Sequence, residues 1–322
     1  ASSHFIGESP QMKDILGLVQ KIADKDSPVL LEGEFGSGKQ MVARTLHNKS
    51  RRHDAPFKVL HCSSLPEDLL EQELFGNATS AQTIFKRAEG GTVVLEEINM
   101  LTLRLQSVLD SFLEDINTRR MNGTLPRQLD FRFIATSSVP MEQLVREGKF
   151  REDLYYRLNV VQLTIPPLRA RTSDIPALAR HFLGRMANQP RLRSLGITDE
   201  ALTMLRGYDW PGNVRQLQSA LFRAAVLCER DALTPEEFPQ ISAAVGVPGY
   251  CGSGGAGAND GIGVTLYEND GNMRPLEEIE ADVIRLAIGH YRGRMTEVAR
   301  RLGIGRSTLY RKLADLGISD AA

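Results

Sequence analysis

The sequence predicts an α/β fold: a parallel sheet with a helical lid, followed by a small all-α unit. Three observations carry that reading. Short apolar runs alternate with amphipathic stretches through the first half of the chain. A glycine-rich loop closes the first of those runs. Past residue 240 the composition changes once, sharply, into glycine-rich text.

The strand candidates are Pro28–Gly33, Phe57–His61, Thr92–Leu95, Phe131–Ala135 and Val160–Ile165. Each is a short apolar run ending near Gly, Pro, Ser or an acidic residue. Runs of this kind suit strands buried on both faces, as in a parallel sheet with helices on each side. Gln40–Ser50 and Leu103–Asn117 read as covering helices. After Pro166-Pro167 the strand signals stop. Asp174–Gln189, Thr198–Arg206 and Asn213–Cys228 read as helices, so a helical subdomain follows the sheet. The expected division is 1–168 for the α/β part, 169–240 for the lid, 241–273 for a flexible linker and 274–322 for a terminal helical unit. The linker carries Gly252-Ser-Gly-Gly-Ala-Gly-Ala-Asn-Asp-Gly-Ile-Gly263, a coil-forming composition.

A chain of 322 residues suits about two domains. Net charge is −1, from 39 Lys+Arg against 40 Asp+Glu, so any polyanion partner must be met by a local patch. No run reaches the ~18 apolar residues of a membrane span, and no secretory leader opens the chain. Cys62, Cys228 and Cys251 form neither a CxxC pair nor an even framework, so a reducing cytoplasm is expected.

Gly33-Glu-Phe-Gly36-Ser37-Gly38-Lys39-Gln40 lies between a strand and a helix. Glycines there let backbone N–H groups close around phosphate oxygens, and the lysine serves the terminal phosphates. This predicts binding of ATP or ADP. The last position is Gln40, so no hydroxyl reaches Mg²⁺ from it. On a later strand, Thr92-Val-Val-Leu-Glu96-Glu97 supplies two acids. Glu96 would organise Mg²⁺ through water, and Glu97 would polarise the attacking water.

Phe5-Ile-Gly-Glu-Ser, Gly33–Lys39, Glu73-Leu-Phe-Gly76, Gly90-Gly-Thr, Phe150–Asn159, Pro166-Pro-Leu-Arg169 and Trp210-Pro-Gly-Asn-Val-Arg-Gln-Leu217 occur in this order. Together they resemble the AAA+ domain of bacterial enhancer-binding proteins, the sigma-54 activators of the nitrogen-regulator type, over about residues 4–240. The resemblance implies a five-stranded parallel sheet, a helical lid and a nucleotide at the subunit interface of a ring of six or seven. Ile6 and Gly7 would border the adenine, and Gly36, Ser37, Gly38, Lys39 and Gln40 would form the phosphate loop. Arg151 and Arg157 would reach into the neighbouring subunit's site. Arg215 would be the lid arginine that senses the nucleotide. A sensory domain is expected outside these residues.

This chain departs from the pattern at several points. The family's polymerase-contacting Gly-Ala-Phe-Thr-Gly-Ala loop should follow Phe75-Gly76. Here Asn77–Glu89 runs directly to Gly90 without it. Activation of sigma-54 polymerase is therefore expected to be lost, leaving another polymerase form as a partner. Glu96 stands where the family has Asp, His61 where it has Asn, and Ser137-Ser138 where it has Thr-Asn. These changes surround one site and predict weak or absent hydrolysis with binding retained. The competing reading is an active AAA+ ATPase that remodels a transcription partner.

Pro275–Gly317 reads as three helices. Leu276, Ile279, Val283, Leu286 and Ala287 form an apolar stripe on the first. The second is Met295–Gly303 with a C-cap glycine, and the third begins at Arg306. From Tyr291 to Leu313 there are seven Arg/Lys and one acid, Glu297. This resembles the Fis-type helix-turn-helix domain of the same family, which binds double-stranded DNA as a dimer. Arg306, Ser307, Thr308, Tyr310, Arg311 and Lys312 would face the DNA, with Arg292, Arg294 and Arg301 on its backbone.

Overall fold

The computed structural model describes residues 5–76, 82–188, 194–245, 279–284, 287 and 295–315. The chain divides into two compact units, residues 1–250 and 251–322. Among the described residues, no helix is long and apolar enough to cross a membrane.

The first unit is built on a five-stranded sheet of β1 (Val29–Glu32), β2 (Phe57–His61), β3 (Thr92–Glu96), β4 (Arg132–Ser137) and β5 (Val161–Thr164). Their order is β2-β3-β4-β1-β5, and all neighbours are parallel. All five sequence-predicted strands are present. The central strands are buried at every position, while the edge strand β5 alternates.

Successive side chains point to opposite faces of a strand, and the two faces meet two separate cores. Leu30, Val93, Leu95, Phe133 and Ala135 face α5 (Leu103–Met121) and α7 (Glu152–Leu158). Val29, Leu31, Val94, Ile134 and Leu163 face α1 (Pro10–Ile22) and α2 (Lys39–Asn48). Helix α1 was not among the sequence candidates. Its signals are nevertheless in the chain: Pro10 in the first turn, and Met12, Ile15, Val19 and Ile22 buried on one face. Arg132, itself buried, donates to the carbonyls of Ile22 and Ala23 and ties off that helix end. Burial pushes its pKa down to about 10.

The short helices α3 (Glu67–Phe75), α4 (Ile84–Arg87) and α6 (Met141–Arg146) complete the α/β part. The lid is α8 (Ile175–Ala187), α9 (Asp199–Arg206), α10 (Asn213–Leu227) and α11 (Pro239–Val245) around a core of its own. Trp210 is fully buried in that core and donates its indole N–H to Leu205 O at 2.7 Å. A two-residue parallel ladder, Gly196–Ile197 with Ala232–Leu233, adds a contact that the sequence did not announce.

In the second unit, residues 279–284 are helical and are followed by α12 (Met295–Arg301) and α13 (Arg306–Asp315). Gly303 adopts φ +68°, a left-handed position that suits glycine at a helix C-terminus. Ile284, Ala287, Val298, Ala299 and Leu309 form the core. Of the stripe read from the sequence, Ala287 belongs to this core. Ile284 is buried, whereas Ile279 and Val283 are only half-buried. The helix carries two apolar stripes, and the bundle takes the one through Ala281, Ile284 and Ala287. Leu276 and Leu286 lie outside the residues whose side chains are described.

Candidate nucleotide and DNA sites

The loop sits at the C-terminal end of β1. Gly36 and Gly38 take φ +74° and +107°, and Gly38 caps α2, whose first residue is Lys39. A Cβ on Gly36 would lie 2.4 Å from the Gly212 carbonyl oxygen of the lid, so only glycine permits this contact. Lys39 is 8% exposed and points back across the loop. Its ammonium donates to Gly33 O at 2.7 Å and Ser138 Oγ at 2.8 Å, and lies 3.4 Å from Glu97 Oε1. Burial lowers its pKa, while Glu97 works in the opposite direction.

Glu96 ends β3, and Glu97 follows in the left-handed region at φ 55°. A non-glycine residue there is strained, and such strain concentrates at functional positions. The turn aims Glu97 at Ser138, whose Oγ donates to Glu97 Oε1 at 2.6 Å and whose backbone N–H donates to Oε2 at 3.1 Å. Glu96 Oε2 pairs with His61 Nδ1 at 2.8 Å. Its other oxygen is buried without a hydrogen-bond partner. Burial raises the Glu96 pKa, Glu97 adds to that rise, and His61 and Lys39 oppose it.

These groups line a cavity of about 510 Å³, within the size range of ligand sites. Gly36, Gly38, Lys39, Gln40, Glu96, Glu97 and Arg215 are all on its wall, so the structure brings together most of the residues named from the sequence. Ile6 and Ser37 line an adjoining slot with Phe5, Leu178, His181 and Phe182. Gly7 packs against Met12 of α1, where a Cβ would lie 2.5 Å from Met12 Cβ, and Met12 and Phe5 beside it line the same slot. Cys62 is buried, and burial lifts its thiol pKa to about 12, as befits an inert packing residue.

Arg151 and Arg157 lie apart from this cavity. Arg151 makes a forked pair with Asp153, and Arg157 Nε donates to Asp110 at 2.7 Å. Arg157 lines a separate cavity near the opposite strand ends with Phe131 and Val160. Neither arginine is on the wall of its own chain's loop cavity.

Several site residues had escaped sequence reasoning. Asn213, at φ 50°, donates to Glu34 Oε2 at 3.1 Å and Phe35 O at 3.0 Å, and accepts from Leu168 N at 2.7 Å. Arg169 also holds Glu34, and the two bonds drag the Glu34 carboxyl down to about 2. Asp174 accepts from the backbone N–H groups of Glu8 and Ser9 at 2.7 and 2.6 Å and from Ser9 Oγ at 2.9 Å, fixing the arm that carries Ile6. On α8, Leu178, His181, Phe182 and Arg185 follow helical spacing and make one wall of the slot. That spacing was the available signal.

In the helix-turn-helix unit, Ser307, Tyr310 and Arg311 are exposed on α13, and Leu309 faces the core. Thr308 is half-buried. Lys312 pairs with Glu280 at 2.6 Å, and Arg301 with Glu297 at 3.1 Å, so both are also held within the unit. Arg292 and Arg294 lie outside the described residues, as does the side chain of Arg306.

Three family descriptions match the chain in sequence. They are a sigma-54 interaction domain at 5–164, an AAA+ ATPase lid domain at 169–245, and a bacterial regulatory protein of the Fis family at 275–316. The transcriptional regulatory protein ZraR of Salmonella typhimurium is 38% identical over 318 residues, covering 96% of this chain and 68% of that protein. The DNA-binding transcriptional regulator NtrC of the same organism is 36% identical, covering 98% of this chain and 71% of that one. Among solved structures, NtrX from Brucella abortus in complex with ADP superposes with a TM-score of 0.71 at 28% identity, covering 99% of this chain and 70% of that chain. The matches thus run along nearly the whole length of the chain, through the α/β part, the lid and the terminal helical unit. This chain belongs to the family of enhancer-binding transcriptional regulators, with an ATP-binding AAA+ body and a Fis-type DNA-binding helix-turn-helix domain.

Proposed function

We propose that this regulator binds ATP or ADP with Mg²⁺, turns it over weakly or not at all, and controls transcription without sigma-54 polymerase. The observation that carries the reading is the state of Glu97. Both of its oxygens are engaged by Ser138, and Lys39 stands beside one of them. A base must be free to meet the attacking water. His61, in the position of the family's Asn, holds Glu96 rather than Glu97.

The unpartnered oxygen of Glu96 suits Mg²⁺, which typically takes one or two carboxylates plus phosphates and waters. Among the described residues no group of three or more His, Cys, Asp and Glu could hold a metal unaided. Glu96 would hold the ion through water, and the ion would neutralise phosphate charge. Lys39 and the loop amides would fix the phosphates, with Ile6 and Phe182 beside the base. Arg151 and Arg157 would act on a neighbouring chain in a ring of six or seven, and Arg215 would report the nucleotide to the lid. The remaining expectations, a cytoplasmic protein and another polymerase form as partner, belong to the same reading.

At saturating Mg-ATP, turnover is expected to fall below the ordinary enzymatic range of ~1–10³ s⁻¹. Restoring Glu96→Asp with His61→Asn should raise it. A wild-type rate inside that range supports the alternative, an active remodelling ATPase. In transcription from a sigma-54 promoter with the protein bound upstream, open complexes should stay at background. Formation above background would show that another segment replaces the missing loop.

The seven-to-one charge count over 291–313 supports DNA binding through α13, and the resemblance to Fis-type domains supports binding as a dimer. Two recognition helices in a dimer lie about one DNA turn, ~34 Å, apart, so a palindromic site is expected. Binding should weaken as salt rises. Arg311→Ala should cost about 1–3 kcal/mol at one base pair if that arginine reads a base. An even loss across sequences, with the salt slope reduced by about one, would assign it to phosphate instead.

A further inference from the structure

A groove between α8 and α10, about 420 Å³ in volume, opens on the lid. Arg185, Arg215 and Arg223 line it together with Phe182 and Phe222, and no acidic residue is on its wall. Many surface arginines elsewhere on this unit are paired, among them Arg104 with Glu67 and Glu71, Arg157 with Asp110, and Arg169 with Glu34. Among the described residues, no carboxylate pairs with Arg185 or Arg223, and Arg215 meets only the Phe35 ring, at 5.2 Å, and the Gly36 carbonyl through its backbone. Guanidiniums that converge without a counter-charge create a positive potential that draws anions, and their planar forks match phosphate oxygens.

The groove is continuous with the nucleotide cavity, because Phe182, Arg185, Arg215 and Gln218 line both. Phe222, 44% exposed, lies beside the arginines. An exposed ring next to cations suits a base stacked above its phosphate, since such stacking tolerates any base. An acidic peptide would use the arginines but leave the ring without a matching partner.

We propose that this groove binds a second phosphate-bearing ligand of the nucleotide class, beside the nucleotide held by the loop. Arg185 and Arg215 touch both positions, so occupancy of one is felt at the other. Arg223 and Phe222 belong to the groove alone. The inference rests on the loop being the first nucleotide site, and the experiment separates the two.

The test is equilibrium binding of labelled ATP to the full chain, with inorganic tripolyphosphate as a second probe. Wild type is expected to take two ATP per chain, the weaker event being sensitive to salt. Arg223→Glu should weaken the second event at least tenfold and leave the first. Lys39→Ala should remove the first and leave the second. Phe222→Ala should weaken the second event for ATP but not for tripolyphosphate. One ATP per wild-type chain overturns the proposal, as do two events that survive Arg223→Glu. If Arg223→Glu instead reduces assembly in sedimentation at a constant one ATP per chain, the groove is a contact between chains and the proposal fails. Two events unchanged by Lys39→Ala would count against the loop as the first site.

Discussion

Lys39→Ala is expected to weaken binding of a fluorescent ATP analogue more than tenfold while leaving the fold intact. The lysine ammonium is buried and already spans the loop carbonyl and Ser138. A phosphate replaces those partners with a full negative charge. A hydrogen bond involving a charged group is worth about 1.5–3 kcal/mol, and 1.4 kcal/mol is tenfold. The thermal transition should stay close to wild type, because the lysine pays for its own burial and gives little packing in return. Unchanged affinity in a folded variant would remove the nucleotide assignment.

The second large effect is on stability. Trp210→Ala should cost about 3–5 kcal/mol, the usual range for emptying a buried aromatic site. The indole is wholly enclosed in the lid core, and its loss also strands the Leu205 carbonyl. Denaturation in urea measures this. A loss below about 1 kcal/mol would mean that the lid collapses freely around the gap. Trp210 also opens the turn that delivers Asn213 to Glu34 and Phe35, so nucleotide affinity should fall along with stability.

What the chain reveals in one dimension follows from the range of each interaction. The central strands β1, β3 and β4 were legible because burial at every position keeps their runs largely apolar, and the edge strands β2 and β5 because their short runs still end at turn-forming or polar residues. The phosphate loop was legible because its chemistry is local, eight consecutive residues between a strand and a helix. The grip of Asn213 on Glu34 was not, since it joins residues 179 apart and neither type is unusual in a turn. Glu34 itself looked like filler within the loop. In the terminal unit, two apolar stripes share the first helix, and periodicity alone could not say which one the bundle would take. The two-residue ladder in the lid is too short to leave a pattern.

The Ser9–Asp174 tie has a consequence for synthesis. Its two ends are 165 residues apart in the chain. A ribosome adding ~5–20 residues per second exposes the first end roughly ten to thirty seconds before the second. During that interval the arm with Phe5 and Ile6 lacks its Asp174 tie, and the α8 wall of the base slot does not exist. The loop and α2 are made early, but the slot forms only after the junction to the lid has emerged. A nucleotide that needs the whole slot therefore selects chains translated well past Asp174, and stabilises them by mass action.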